Sequence, residues 1–549
     1  MTIEWRAPAG GLWELETLHV KGGQPRLFQH RAPRAFREGF AAAAIRYGLP
    51  IDHLEIRFVN DHCYARMRAV GAPEPKPGKA SSPPPALVLR VLTRVHPKLR
   101  RRNRAAQRAI EQKLWHEDRR RWEEQDRSSM LATGRALQAE PLGQLDDDAL
   151  VDHLRRAADH LERGIGMHLG LIPVHNLPVG RLVQASRTWG IADDETFALL
   201  AGSSPASTAS AGGLAAIARA CAEAGVDPGS LDDVRGAGPA AAGALDAYLA
   251  DHAWRAVTQY SPRGLTLIEQ PDLLVQAIRS ASTEAALPAA PDIDAVRSRV
   301  PATDRARFDD LLDDARRCYG TRDDNVALTF IWPAGLTRRA LLECGGRLAD
   351  RGLLGDARHV FALGAARRHR PRCGGGRPDR TARRGRRRRR PGPPGRRGGP
   401  RPTPACSRHR WPSWSEPFCS SSSSKRRWRA SSALPPWSGE DVGIGTVPYT
   451  GRACVAADAE EALRRLREGD VLVTTLTTPS FEAVMPIAGA VVTEVGGLMS
   501  HTAICCREYG IPAVVHVAGA TAHIPDGVPV TVDPSTGRVL VGSAIPCIT

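Results

Sequence analysis

Apolar positions in the first two thirds of the chain recur at helical spacing. In LDDDALVDHLRRAADHLERGIG, Leu150, Leu154, Ala158 and Leu161 form one stripe, which predicts an amphipathic helix. Asp146, Asp147 and Asp148 stand in its first turn, where carboxylates meet the positive end of the helix dipole. A second stripe runs through Leu341, Leu342, Leu348, Leu353 and Leu354, broken by Gly345 and Gly346. Residues 98–128 are dominated by Arg, Glu and Gln, with Trp115 and Trp122 two helical turns apart, and read as a long exposed helix. The stretches Ala72–Pro85 and 203–213 (SSPASTASAGG) read as surface loops. No strand alternation stands out before residue 364, so residues 1–364 are expected to be mainly helical.

By about Gly439 the pattern changes to short strands and helices. GDVLVTTLT (469–477) is a β-branched strand, and PSFEAVMPIA (479–488) reads as a helix opening at Pro479. AGAVVTEV (488–495) is a second buried strand, followed by Gly496-Gly497 and a helix that contains Ser500 to Glu508 and ends at Gly510. Ala513-Val514-Val515 begins another strand. VPVTVDPSTGRVLVG (528–542) is a hairpin whose turn residues are Asp533 to Gly537. The fold expected is multidomain, α plus α/β, with boundaries at 1–364, 365–438 and 439–545.

The length of 549 residues supports roughly three or four domains. No basic-then-apolar leader opens the chain, and no run of about 18 apolar residues occurs, so neither a signal peptide nor a membrane partner is expected. Eleven cysteines without paired CxxC motifs fit reduced thiols and a cytoplasmic location.

The net charge of +17 invites a nucleic-acid reading, but it comes from one segment. Residues 365–430 hold 21 Arg and one Lys against Asp379 and Glu416, a net of +20, so the other 483 residues carry −3. Those 66 residues contain no Leu, Ile, Val or Met, and such a composition predicts disorder. Three readings stand open. The segment is an Arg-rich binding tail, a solvated linker, or the product of GC-rich codons read out of frame. Its abrupt edges, and ordinary helical patterning just before it in RLADRGLLGDARHVFALG, favour the third, and nucleic acid ranks last.

A strand, a glycine pair and a helix opening at a histidine make a phosphate-handling arrangement. Backbone N–H groups at Gly496, Gly497 and the first helical turn suit an anion. The positive helix end disfavours a protonated ring, leaving the His501 imidazole nucleophilic. Thr493 and Ser500 are near enough in sequence to donate hydroxyls to phosphoryl oxygens. A lone histidine at a helix start is nevertheless more often a capping residue than a nucleophile.

The run Thr493 to Ile504, followed by Arg507-Glu508-Tyr509-Gly510-Ile511-Pro512-Ala513-Val514, resembles the mobile, swivelling domain of PEP-utilizing enzymes. That family includes PEP synthase, pyruvate phosphate dikinase and the rifampin phosphotransferases. Gly443-Ile444-Gly445, Gly451-Arg452-Ala453, Asp470 to Val473 and Pro479-Ser480 extend the resemblance to about one hundred residues. The resemblance implies a compact β/β/α swivel with His501 as the phosphorylated residue and Thr493, Gly496, Gly497 and Ser500 around it. Cys505 and Cys506 stand where the family has small apolar residues, and read as buried thiols rather than metal ligands.

A fainter resemblance covers Tyr260, Pro262, Thr266, Glu269 and Pro271, and then Arg322, Asn325, Arg338, Gly346, Arg347, Leu348 and Gly352. These are similar to the substrate-side helical domain of rifampin phosphotransferase-like proteins. The resemblance implies a phosphotransferase component whose small-molecule phosphoryl acceptor binds the helical region. No Walker-type or ATP-grasp signature is found. A separate ATP-grasp subunit, holding ATP (or PEP) and Mg, is therefore the expected partner. No cofactor or metal is expected in this chain itself.

Overall fold

A computed structural model describes residues 13–16, 19–20, 22–72, 91, 94–281, 291–363, 438–478, 481 and 484–542. The Arg-rich segment and most of the loop expected at Ala72–Pro85 lie outside the described residues.

The N-terminal region is mainly helical, built on a 42-residue helix, and carries a small sheet that the sequence reading missed. Strands β1 (Glu14–Leu15), β2 (Ile51–Val59) and β3 (His62–Ala69) pair antiparallel in the order β1-β3-β2. Asn60 and Asp61 turn the hairpin with positive φ, the conformation that a tight primed turn requires. Leu54 and Ile56 point inward and are buried with Phe28, Ala32 and Phe40 of helix α1 (Arg26–Arg46).

Helix α2 (Asp147–Thr188) is capped by Asp146, whose carboxylate accepts from the Ala149 N–H at 2.8 Å. Leu150, Ala158 and Leu161, from the predicted stripe, are buried. Pro173 and Pro178 lie inside α2, and each removes one backbone donor. The 203–213 stretch is not a loop. It forms most of the first half of helix α3 (Pro205–Glu223), started by Pro205 and held by Leu214, Ile217 and Cys221 packing into the core.

Residues 98–128 are not one exposed helix either. Lys113 adopts the left-handed conformation and divides Pro97–Glu111 from Leu114–Arg121, and a π-helical turn spans Trp122–Asp126. Both tryptophans are fully buried, in a cluster with Met130, Leu137 and Trp332. The Arg181 guanidinium of α2 lies 5.2 Å from the Trp115 ring centroid.

Helices α4 (Arg305–Tyr319) and α5 (Thr321–Val326) lead through a π turn, Ala327–Ile331, into α6 (Trp332–Asp350). Gly345 and Gly346 do not break α6, which ends before Leu353 and Leu354. Gly164 of α2 passes close to the π turn. A Cβ at Gly164 would lie 1.9 Å from the Thr329 carbonyl oxygen.

The C-terminal sheet has eight strands: β4 (Ser438–Glu440), β5 (Val442–Ile444), β6 (Tyr449–Val455), β7 (Val471–Thr474), β8 (Ala490–Thr493), β9 (Ala513–Val515), β10 (Pro529–Asp533) and β11 (Arg538–Val541). Their order is β4-β11-β10-β6-β7-β8-β9-β5, and the central run β6-β7-β8-β9 is parallel. Parallel strands covered on both faces read as continuous apolar runs, as VLV and AVV do here. Leu472 and Val491 face a core shared with the helical region, while Val471, Val473, Val492 and Val514 face the hairpin side.

Of the helix expected over 479–488, residues 479, 480, 482 and 483 lie outside the described residues. The described part contains only a 3-10 turn, Met485–Ile487. Helix α7 (His501–Tyr509) ends at Gly510 with φ of +69°, the left-handed cap expected of glycine. Among the described residues, no helix is long and apolar enough to cross a membrane.

Two predictions follow from this packing. Gly164→Ala forces α2 away from Thr329 and should cost about 1–3 kcal/mol by urea denaturation. A wild-type midpoint would show that the two elements separate freely. Burial, reinforced by the Arg163 charge, pushes the His160 imidazole down to about 4. A group depressed in the folded state lends stability that is present above its unfolded value near 6.5 and is lost as pH falls towards 4. His160 alone should remove about 1–2 kcal/mol between pH 7 and pH 5, and His160→Phe should flatten that slope in urea titrations at the two pH values.

Candidate functional site

The site is assembled at the C-terminal ends of β7 and β8, where parallel sheets place their ligand crevices. The two strands pair in register, with Thr474 opposite Thr493. The chains that leave them stay side by side, because the Glu494 and Val495 N–H groups donate to the carbonyls of Thr474 (3.1 Å) and Thr475 (2.8 Å). One chain thus delivers Thr477, and the other delivers Gly496, Gly497 and Ser500, to the same place.

Ser500 is the N-cap of α7, and its Oγ accepts from the Ala503 N–H at 3.3 Å. Its own N–H donates to the Gly497 carbonyl, which closes the turn. Gly496 has φ of +156°, and a Cβ there would lie 3.1 Å from Ser500 Oγ and 3.4 Å from Thr493 Oγ1. Only glycine lets the loop fold this tightly over the strand ends. His501 follows at the first helical position, 7% exposed. The residues singled out from the sequence therefore converge on one helix start.

The ring of His501 is held from both sides. Thr477 Oγ1 lies 3.0 Å from Nδ1 and 2.8 Å from Thr502 Oγ1. Cys505 Sγ, one turn along α7, lies 3.4 Å from Nε2. An imidazole nitrogen accepts more strongly than a thiol sulfur, so Cys505 S–H donates to Nε2. Nδ1–H then donates to Thr477, whose hydroxyl donates to Thr502. This tautomer keeps the lone pair on Nε2.

Thr493 and Thr474 add two fully buried hydroxyls, and neither Oγ1 has a hydrogen-bond partner among the described residues. Buried polar atoms are rarely left unpaired, and such hydroxyls at the strand ends suit the oxygens of a visiting anion. Thr474 and Thr477 were missed in the sequence because the TTLTT run reads simply as β-branched strand. Cys505 and Cys506 are buried, and burial pushes the Cys506 thiol up, so it stays protonated.

The helical region meets this helix start directly. Arg322 of α5 donates to the Met499 carbonyl, two residues before His501. The Gly202 N–H donates to Glu508 at 3.1 Å, and Gln276 donates to the Leu466 carbonyl at 3.0 Å. Arg507 donates to the Leu498 carbonyl and lies 5.0 Å from the Phe197 ring centroid. Met499 and Ile504 are buried in one cluster with Val179 and Leu182 of α2. Farther off, Arg338 pairs with Glu269 through two hydrogen bonds of 2.8 and 2.9 Å. Glu269 also accepts from the Thr266 N–H and hydroxyl, so these three residues brace the helical region rather than line the site.

Residues 466–537 match the family model described as PEP-utilising enzyme, mobile domain. Phosphoenolpyruvate synthase of Aeropyrum pernix is 48% identical over 94 residues, 17% of this chain and 12% of that protein. Rifampicin phosphotransferase of Streptomyces sviceus is 48% identical over 101 residues, 18% of this chain and 11% of that protein. Phosphoenolpyruvate synthase of Pyrococcus furiosus is 45% identical over 104 residues, 19% of this chain and 12% of that protein. The chain thus spans 11–12% of the length of these curated relatives. The C-terminal domain carries the resemblance to PEP-utilising mobile domains read from its residues.

The hydrogen-bond chain sets the tautomer of His501, and nitrogen NMR on histidine-labelled protein reads it. The wild type should show the proton on Nδ1, and Thr477→Val should give a tautomer mixture. A wild-type spectrum with the proton on Nε2 would reverse the assigned direction of the chain.

Proposed function

We propose that this chain is a phosphotransferase component in which His501 carries a phosphoryl group from a donor site on a separate subunit to a small-molecule acceptor bound by the helical region. One observation carries the reading. A histidine at a helix start has its Nδ1 held by Thr477 and its Nε2 lone pair met by the weak Cys505 S–H donor, in a domain that also buries two hydroxyls without partners among the described residues. The relatives' names, phosphoenolpyruvate synthase and rifampicin phosphotransferase, support the same chemistry for this chain.

The geometry sets each residue's part. Nε2 attacks the donor phosphorus in line, and the Nδ1–H to Thr477 bond steadies the positive charge that the ring acquires. Thr474, Thr493 and the free Ser500 hydroxyl hydrogen face the phosphoryl oxygens, helped by the positive end of α7. Gly496 and Gly497 keep the backbone close enough to take part. Positioning and charge neutralisation dominate phosphoryl transfer, so this cradle is where the domain contributes. Splitting the reaction over a phosphohistidine gives each half its own in-line displacement.

The donor half belongs to a separate ATP-grasp subunit, with ATP (or PEP) and Mg²⁺ at that subunit's site. Magnesium there neutralises the transferring phosphates. Because Met499 and Ile504, on either side of His501, are buried against the helical region, the domain moves off that region to be charged and returns to deliver. Arg322 waits at the delivery side, bonded to the Met499 carbonyl. A second reading, a frame-disrupted relative whose swivel folds but is never charged, rests on the composition of residues 365–430.

Phosphoramidate, a small phosphoryl donor, tests carrier competence without the partner. The wild type should gain one acid-labile, base-stable phosphate, and His501→Gln should gain none. ATP alone should label neither. No labelling of the wild type by phosphoramidate supports the second reading, and fast labelling by ATP alone removes the separate subunit.

A further inference from the structure

Helix α2 carries two imidazoles that no step above uses, the half-buried His168 and the buried His175. His168 and His175 are seven residues apart, so they share one face of the helix about 10 Å apart along its axis. Continued towards the C-terminus, that face reaches Val179 and Leu182, which lie in the cluster that buries Met499 and Ile504 on either side of His501. The two histidines therefore lie on the side of α2 that meets the phosphoryl-carrying helix start.

Their surroundings differ. Asn325, fully buried on α5, donates to His168 Nδ1 at 3.1 Å and is itself held by Thr329. His168 is thus locked with its proton on Nε2. His175 is 4% exposed, and its Nδ1 has no hydrogen-bond partner among the described residues. It lies between Pro173 and Pro178, which leave the carbonyls of Leu169 and Val174 without their helical donors. An orphan ring nitrogen and freed backbone acceptors crowd one short stretch.

Charge sets the protonation state. Burial, with the Arg322 guanidinium and His168 added, holds His175 well below the ordinary histidine range, and His168 goes to about 4 for similar reasons. Arg322 and His168 are the charged and titratable groups that act on His175, and both oppose a second proton. Arg322 is also the residue bonded to the Met499 carbonyl. The same cation therefore acts on the His175 imidazole and bonds the helix start that carries His501.

Building on the function proposed above, we propose that His175 Nδ1 is the general base of the delivery step, and that the acceptor is a neutral hydroxyl rather than an anion. A carboxylate or phosphate acceptor already holds its lone pair and needs a cation alone, whereas a hydroxyl needs its proton removed as it attacks. The acceptor oxygen forms the new O–P bond and the P–Nε2 bond of phospho-His501 breaks. The electron pair returns to the His501 ring, and the hydroxyl proton passes to His175 Nδ1 and then to solvent. Arg322 balances the charge on the transferring group.

The test uses full-length protein loaded by phosphoramidate, with glycerol as the hydroxyl probe and inorganic phosphate as the anion probe, followed by phosphorus NMR. The wild type should form glycerol phosphate and no pyrophosphate. His175→Asn should load His501 but deliver about 100-fold more slowly, with a rate that rises with pH where the wild-type rate is flat from pH 6 to 8. His175→Ala should regain delivery when imidazole is added, which a merely structural role does not allow. Delivery by His175→Asn at the wild-type rate, pyrophosphate as the product, or no glycerol phosphate from loaded wild type each overturns the proposal. A wild type that never loads is a different failure, and sinks the carrier reading itself.

Discussion

The in-register parallel pairing of β7 with β8 is the constraint on which the site rests. It sets Thr474 opposite Thr493 and keeps the two departing chains hydrogen-bonded for two further residues. A shift of β7 by one residue would turn Thr474 to the other face of the sheet and carry Thr477 away from the His501 ring. The glycine at 496 matters for the same reason, since the loop must fold back on the strand end before α7 begins. Strand order, loop closure and ring orientation are thus one geometric requirement expressed three times.

That requirement explains why the C-terminal domain was legible from sequence. β7, β8 and β9 are buried on both faces, so they appear as short unbroken apolar runs. The start of α7 carries a serine cap, and its end carries Gly510. Those signals are local, and each has a physical cause that acts within a few residues. Thr477 was not legible, because its partner lies 24 residues away and threonine is an ordinary strand residue. The shortened helix at 479–488 shows the reverse case, a local proline signal followed by only a 3-10 turn among the described residues.

The helical region was legible where one stripe was long, as at Leu150 to Leu161, and misread where composition misled. SSPASTASAGG has the small polar residues of a loop, yet it is helix because Leu214 and Ile217 farther along bury against the core. The charge of residues 98–128 suggested exposure, while Trp115 and Trp122 are buried in an apolar cluster with Met130, Leu137 and Trp332. The hairpin at Ile51–Ala69 alternates Leu54, Ile56 and Phe58 against polar residues, but it stands alone among helices. None of these misreadings touched the candidate site, because the site's geometry is set by adjacent strand ends and the start of α7 rather than by the misread segments.

The contact between the two regions obeys opposing demands. In the function proposed above, a phosphohistidine at this position is to be shielded from water, and His501 at 7% exposure meets that demand. A carrier must also leave, so the docked state can be favoured by only a few kcal/mol. The polar contacts suit this balance. Arg322 and Gln276 donate to the backbone carbonyls of Met499 and Leu466, and Glu508 accepts from the backbone N–H of Gly202. A hydrogen bond between protein groups replaces bonds to water at a net gain of about 1 kcal/mol each, so three of them fix the docked orientation without making it permanent. The apolar patch around Met499 and Ile504 adds shielding in the same place. Orientation is therefore set by a few directional bonds to backbone, and the apolar patch beside them adds burial without direction.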